Sequence, residues 1–216
     1  MRQHTCTEEQ FLKDVEQHTM TMIRDDGVHR HIRFKRPDSG TYWFDLITWP
    51  GTLCIDGDCG TYVFRRLEDM FQFFRTDRDW LRDGATLGIN PSYWGEKLQA
   101  KAIHGGYEEF SESRFRKAVK SEFDAWVESE DPSNDMKAQI WEELEDRVIS
   151  YVNDGAHDAV RAAMNFEPDD WEILFEMRDF YEHRLDDYTF HFIWCCYAIA
   201  WGVKTYDEAN LIKGAA

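Results

Sequence analysis

Apolar positions along the first sixty-odd residues change their spacing early. Thr7 with Gln10 three residues on forms a capping box, and the pattern predicts a short helix from there to about Glu16. After it, His18 to Arg24 is rich in β-branched residues, Asp25-Asp26-Gly27 is a hairpin signal, and Val28 to Arg36 alternates on the far side. Pro37 to Gly40 turns into the extended run Thr41 to Thr48. Pro50-Gly51 turns into Thr52 to Ile55, and Asp56-Gly-Asp-Cys-Gly60 turns into Thr61 to Phe64. Five short strands joined by tight turns predict an antiparallel β-meander, one face of which needs a cover.

From Leu67 onward the apolar spacing lengthens to three and four. Leu67, Met70, Phe71, Phe74, Trp80 and Leu81 predict one helix, and Gly95 to Ile103 a second, ended by Gly105-Gly106. Phe110, Phe115, Val119, Phe123, Trp126 and Val127 mark a third segment. After Pro132, Met136, Ile140, Trp141, Leu144, Val148, Tyr151 and Val152 mark a fourth, ended by Asp154-Gly155. Each of these two carries a single buried stripe. Shorter helices over Ala156 to Asn165 and Asp170 to Leu185 precede an apolar final helix from Asp187. The fold class is α+β, a sheet followed by a predominantly helical region. The expected division is a sheet with covering helices over 1–106 and a helical region over 107–216, which could also form one integrated domain. The long stripes could bury a homodimer interface as readily as a core.

Composition narrows the class. The 216 residues are 43% hydrophobic, with nine Trp, nine Tyr and fifteen Phe, which argues against disorder despite a net charge of −17. The longest apolar run, Tyr188 to Val203, falls short of the ~20 residues that span a bilayer. The opening MRQHTCTEEQFLKD lacks the apolar stretch of a secretory signal. Cys6, Cys54, Cys59, Cys195 and Cys196 contain no CxxC and read as reduced, buried thiols. Together these point to a cytoplasmic protein with no membrane partner.

Charge is the most informative property, because it is unevenly spread. Residues 1–107 hold 16 acids and 14 bases, residues 108–187 hold 24 and 9, and residues 188–216 hold 2 and 2. Nearly all the excess negative charge therefore falls on the middle helices. Glu142, Glu143, Glu145 and Asp146 lie opposite the Ile140/Leu144/Val148 stripe, and Asp169, Asp170, Glu172 and Glu176 follow. Glu128, Glu130, Asp131 and Asp135 flank the first group. Such a surface repels nucleic acid itself. Carboxylates fixed on helices can instead imitate duplex phosphates, which fall once per ~1.7 Å of axis, and so fill a basic channel made for DNA or RNA. The plainer reading is a set of solvated faces that keep the chain soluble.

Other chemistry is thinner. With period two, His29, His31, Arg33 and Lys35 share one strand face, while Val28, Arg30, Ile32, Phe34 and Arg36 share the other. The first face could hold a phosphate or nucleotide, with Tyr42 or Trp43 to stack a base. It could equally pair internally with carboxylates. His29 and His31 resemble two metal ligands, but a third, Asp45 or Asp56, would have to be supplied by strand register, and no metal or other cofactor is expected. The run Asp56 to Gly60 hints at a calcium loop, yet a tight turn explains it. No GxGxxG, GxxxxGK[ST], HExxH or GxSxG occurs. Asp179, Glu182, Asp186 and Asp187 near His183 and His191 are a further acid–base grouping, diluted by the abundance of acids. Cys195 and Cys196 lie in the most apolar helix, where packing is the better reading than nucleophilic catalysis.

The stretches His29-Arg-His-Ile-Arg-Phe-Lys-Arg-Pro37, Tyr42-Trp-Phe-Asp-Leu-Ile-Thr-Trp-Pro-Gly51 and Gly60-Thr-Tyr-Val-Phe-Arg-Arg-Leu-Glu-Asp-Met-Phe71 resemble accessory proteins of tailed bacteriophages and prophages. Ile89-Asn-Pro-Ser-Tyr-Trp-Gly95 and Tyr188-Thr-Phe-His-Phe-Ile-Trp194 resemble the same group. The resemblance brings no catalytic residues with it. It implies an accessory gene, and such genes often encode inhibitors of host defence, including acidic proteins that imitate DNA. The expected function is therefore a non-enzymatic anti-CRISPR- or anti-restriction-like inhibitor in the host bacterial cytoplasm. It would bind a nucleic-acid-handling complex through the eight carboxylates Glu142, Glu143, Glu145, Asp146, Asp169, Asp170, Glu172 and Glu176. The alternatives are a sponge for a nucleotide immune signal at His29, His31, Arg33 and Lys35, and a nucleotide-processing enzyme.

Overall fold

A computed structural model describes residues 5–75, 86–101 and 106–214. The chain divides into two compact units, one built from 1–108 together with 188–216 and the other from 109–187.

The first unit opens with α1 (Glu8–Val15). Thr7 caps it by accepting from the Gln10 N–H at 3.2 Å, Glu8 and Glu9 complement the dipole of its first turn, and Phe11 and Val15 are buried. Five strands follow as an antiparallel meander: β1 (Thr19–Asp26), β2 (His29–Lys35), β3 (Phe44–Trp49), β4 (Thr52–Gly57) and β5 (Gly60–Arg65). Turn chemistry sets the register. Gly27 takes φ +59°, which allows Asp26 to pair with His29 across a two-residue turn. At Gly57 an added Cβ would lie 2.2 Å from the Trp43 carbonyl oxygen, so only glycine lets the two backbones approach there.

Period-two alternation then sorts the side chains. Ile32, Phe34, Phe44, Leu46, Leu53, Ile55, Tyr62 and Phe64 are buried on one face. That face is packed, in one core, with residues of α1, α2 (Met70–Arg75), α3 (Pro91–Gly95) and α7 (Phe190–Gly214). Phe192, Cys195, Cys196, Ala198, Ile199 and Val203 of α7 are all buried. At Gly202 an added Cβ would stand 2.7 Å from Leu46 Cδ1, so the helix lies hard against the sheet. Among the described residues no helix is long and apolar enough to cross a membrane.

Two expectations are corrected in this unit. The segment expected to be helical over Gly95 to Ile103 instead ends α3 at Gly95 and forms a sixth strand, β6 (Leu98–Lys101), on β5. An exposed β5 edge would leave its N–H and C=O groups unpaired, and β6 satisfies them. The expected division at 106/107 put the last helix with the acidic region, but α7 packs with the sheet. Its nearly all-round apolar surface requires cover that a single-stripe bundle does not provide. Of the helix expected over 67–81, α2 forms at Met70–Arg75, and the rest of that expectation, with Trp80 and Leu81, lies outside the described residues.

The second unit is bracketed by a two-stranded ladder of β7 (Glu108–Phe110) with β8 (Asp186–Tyr188). Between them run α4 (Glu112–Glu130), α5 (Asn134–Arg147), a 3₁₀ turn over Ile149–Asp154 and α6 (Ala156–Met164). Ser111 and Ser133 cap α4 and α5 by accepting from the Arg114 and Met136 N–H groups. Phe115, Val119, Phe123 and Trp126 of α4 share a core with Ile140 and Leu144 of α5 and Ala159 and Ala163 of α6. The helix expected over Asp170 to Leu185 does not form. Residues 173–177 form no regular element but alternate in burial, with Ile173, Phe175 and Met177 buried and Leu174 and Glu176 exposed, before a short 3₁₀ turn at Phe180–Glu182. This period-two burial cannot be met by a helix, whose neighbouring faces repeat every three to four residues.

Candidate functional site

The acidic unit holds 23 carboxylate residues against 9 arginines and lysines over 109–187, a net charge of −14. Its cations are largely committed. Arg114 pairs with Asp187, Arg116 with Glu112, Lys120 with Asp124, Arg147 with Asp169, Arg161 with Asp158 and Arg178 with Glu176. With six of the nine lysines and arginines paired in this way, the unit's surface carries a large excess of negative charge.

The eight sequence-selected carboxylates divide by what they touch. On α5, Glu142 and Asp146 point outward, and among the described residues nothing pairs with either side chain. Glu145 reaches Arg116 only at 3.5 Å. Glu143 behaves differently: its side chain is 12% exposed and accepts the Asp169 N–H at 2.9 Å and Gln139 Nε2 at 3.0 Å. Arg147 closes this junction by donating to Asp169 at 2.7 Å while lying over the Phe166 ring. Glu143 and Asp169 thus fasten the 165–179 strap to α5; Glu143 is largely buried in that junction, while Asp169 is paired with Arg147 but stays exposed. Asp170 accepts the Glu172 N–H at 3.0 Å, Glu176 accepts from Arg178 at 2.8 Å, and the Glu172 carboxylate stands exposed.

Two placements were hidden in the sequence, the first of them that of acids it had already singled out. Glu128 and Glu130 lie in the last turn of α4 and Asp131 caps it in the left-handed region at φ +44°, with no basic residue in that turn. There the negative end of the helix dipole opposes them. Trp171 and Leu174 of the strap are 83% and 82% exposed. The signal for these two was an apolar pair set among Asp169, Asp170, Glu172 and Glu176, masked by the expectation of a helix.

The basic face of β2 is arranged by register. Arg33 pairs with Asp45, which pairs with Asp56, so these three share a row on the face of the sheet away from its core. Asp45 is nearly buried, accepts Arg33 Nε and Nη2 at 2.8 Å each, and faces His31 Nε2 at 2.7 Å. Burial alone would raise its pKa. The hydrogen bonds from Arg33 and His31 outweigh that and hold it below the ordinary carboxylate range. Arg33 is therefore spent on Asp45 and lies over Trp43, while Tyr42 is stacked on Trp194 in the core. Lys35 is exposed at the far end of the strand from His29. His29 and His31 do line a depression of about 540 Å³ with Ile23, Arg24, Ile47 and Trp49. Arg30, on the opposite face, is buried against Asp69 and Tyr206.

The remaining candidates have structural partners. Register does bring Asp45 to His31, but Arg33 already occupies the carboxylate, and no group of three potential metal ligands occurs among the described residues. Asp56 to Gly60 is the β4–β5 turn, with Asp58 accepting the Tyr42 N–H and Asp56 the Thr61 hydroxyl. His183 pairs with Glu122 of α4 rather than with the acids that flank it. Burial pushes the thiols of Cys6 and Cys59 up to about 12 and that of Cys54 to about 11, and raises Cys195 and Cys196 well above the usual range. Thiols held in that state are poor nucleophiles at neutral pH. No protein-family model, curated protein or solved structure matches the chain. The geometry presents an acidic helical surface in one unit and a small cationic-aromatic depression in the other.

Proposed function

We propose that this chain is a phage-encoded, non-enzymatic inhibitor that occupies the basic DNA or RNA channel of a host defence complex with its acidic helical unit. One observation carries the reading: unpaired carboxylates are concentrated where the fold itself disfavours them. Glu128, Glu130 and Asp131 oppose the dipole at the end of α4, and Glu142 and Asp146 stay without cations while the unit's arginines pair elsewhere. Charge that does not serve the fold is charge available to a partner. The unit's helices hold these groups on a rigid frame, as imitation of regularly spaced phosphates requires.

The test is competition. A panel of purified restriction, CRISPR and recombination enzymes, each loaded with fluorescent duplex DNA, is titrated with the protein at low and physiological salt. Displacement that weakens steeply as salt rises is expected from at least one enzyme. The double reversal E142K/D146K should reduce it tenfold or more with the fold intact. Displacement from no enzyme at low salt, or undiminished displacement by the reversal variant, rejects the reading.

A second reading, a sponge for a nucleotide signal, is favoured by the depression beside His29, His31, Arg24 and Trp49. It draws on only two of the four basic-face residues, since Arg33 is engaged by Asp45 and Lys35 lies outside the depression. Heat release of a 260 nm-absorbing small molecule from purified protein supports it, and its absence from both purified and nucleotide-soaked protein rejects it.

A further inference from the structure

The geometry points to Trp171 and Leu174 as a preformed apolar anchor for a protein partner whose basic surface contains an apolar pocket. This rests on the proposed function, and it adds that the partner is gripped by shape as well as by charge.

Three observations converge on the pair. First, they are the most exposed large hydrophobic residues of the described chain, at 83% and 82%, and stand on one short strap. A fully exposed Trp contributes little to folding, whereas Trp inserted into a partner's pocket is among the strongest interface contacts. Second, the strap is already ordered. Ile173, Phe175 and Met177 are buried in the unit's core on alternate positions. The Glu143–Asp169–Arg147 junction fixes its start, and Asp170 caps the turn at Glu172. Binding therefore need not order this segment, which removes a cost that flexible loops carry.

Third, charge selects the occupant. Asp170, Glu172 and Glu176 flank the pair along the strap, on a unit of net charge −14. A second copy of this unit would bring like charge against like, and nucleic acid would do the same, so neither fits. A protein pocket rimmed with lysine or arginine fits both the apolar pair and its acidic border. The arrangement is that of a central apolar contact with a polar rim.

The same DNA-loaded enzyme panel separates this inference from the reading beneath it. W171A and L174A should each raise the midpoint of displacement by about thirtyfold, the loss typical of an interface hot spot, while the salt dependence keeps its slope. E142K/D146K should also weaken displacement but, unlike these two, should flatten that slope. W171F should recover part of the loss, and the melting temperatures of W171A and L174A should match the parent because both side chains are in water. Trp171 fluorescence, isolated as the difference between parent and W171F, should be quenched by acrylamide in the free protein and protected in the complex. If W171A and L174A displace DNA at the parental midpoint, the anchor is overturned while the charge-based reading stands. If the parent displaces DNA from no panel enzyme at low salt, the charge-based reading falls and the anchor falls with it.

Discussion

Replacing Asp45 by asparagine isolates a single ionic contact on the open face of the sheet. The carboxylate is 5% exposed and receives three donors, two from Arg33 at 2.8 Å and one from His31 at 2.7 Å. Asparagine keeps the size but offers one oxygen, so its amide hydrogens turn toward a donor. Each charge-assisted hydrogen bond contributes about 1.5–3 kcal/mol. The partners, however, are 45% and 30% exposed and recover water when released, so the net loss at pH 7 should be about 2–3 kcal/mol for the whole contact. The pH dependence has a definite sign. Asp45 titrates lower in the folded state than the ~3.9 of an unfolded chain. Its contribution is therefore complete above that unfolded value and is lost as pH falls through the folded one. The stability gap between parent and D45N should be widest at neutral pH and narrow as the solution is acidified below the unfolded-chain value. Urea unfolding of both proteins at several pH values measures it. A gap under about 0.5 kcal/mol at pH 7, or one that does not shrink with acid, refutes the assignment of the contact as a net stabilising ion pair.

Glu143→Ala should loosen the strap rather than the sheet, with a loss of about 1–3 kcal/mol and faster amide exchange over 167–177 but not over β1 to β5, read by hydrogen-exchange mass spectrometry. Gly57→Ala should cost about 3 kcal/mol or more, because the new Cβ meets the Trp43 carbonyl and Phe44 Cα. Gly27→Ala, which meets nothing within 4 Å but keeps φ +59°, should cost only about 1–2 kcal/mol, and the contrast is read by thermal unfolding.

Much of the architecture was legible because local chemistry and global fold agree. The capping box at Thr7, the turns at Gly27 and Gly57, and strict alternation from His29 to Phe64 each specify an element without reference to distant residues. The same holds for α4 and α5, whose stripes and serine caps mark them plainly. Legibility failed where tertiary packing decided. Leu98 to Lys101 carries no strand pattern of its own and is extended because β5 needs a neighbour. The 170–185 segment contains helix-compatible spacings by coincidence, and its true period of two is set by the core it covers. For the candidate site, the sequence located the acids but not their bonds. Glu142 and Glu143 are adjacent and chemically identical, yet one is free on the surface and the other is fastened to Asp169. Only the path of the strap distinguishes them, and the same path exposes Trp171 and Leu174.

The discontinuous first unit has a consequence for biosynthesis. Its sheet is complete once residue 101 has been made, but the helix that shields a large part of its apolar face begins only at Phe190. The intervening acidic insertion of 79 residues, 109–187, takes the ribosome roughly 4–16 s to add at about 5–20 residues per second. During that interval Ile32, Phe34, Leu46 and their neighbours wait without α7 against them. Apolar surface open in this way is prone to wrong association, and the insertion, which has its own core, can finish folding before the surrounding unit does. Completion of the sheet unit is in this way timed by the synthesis of α7.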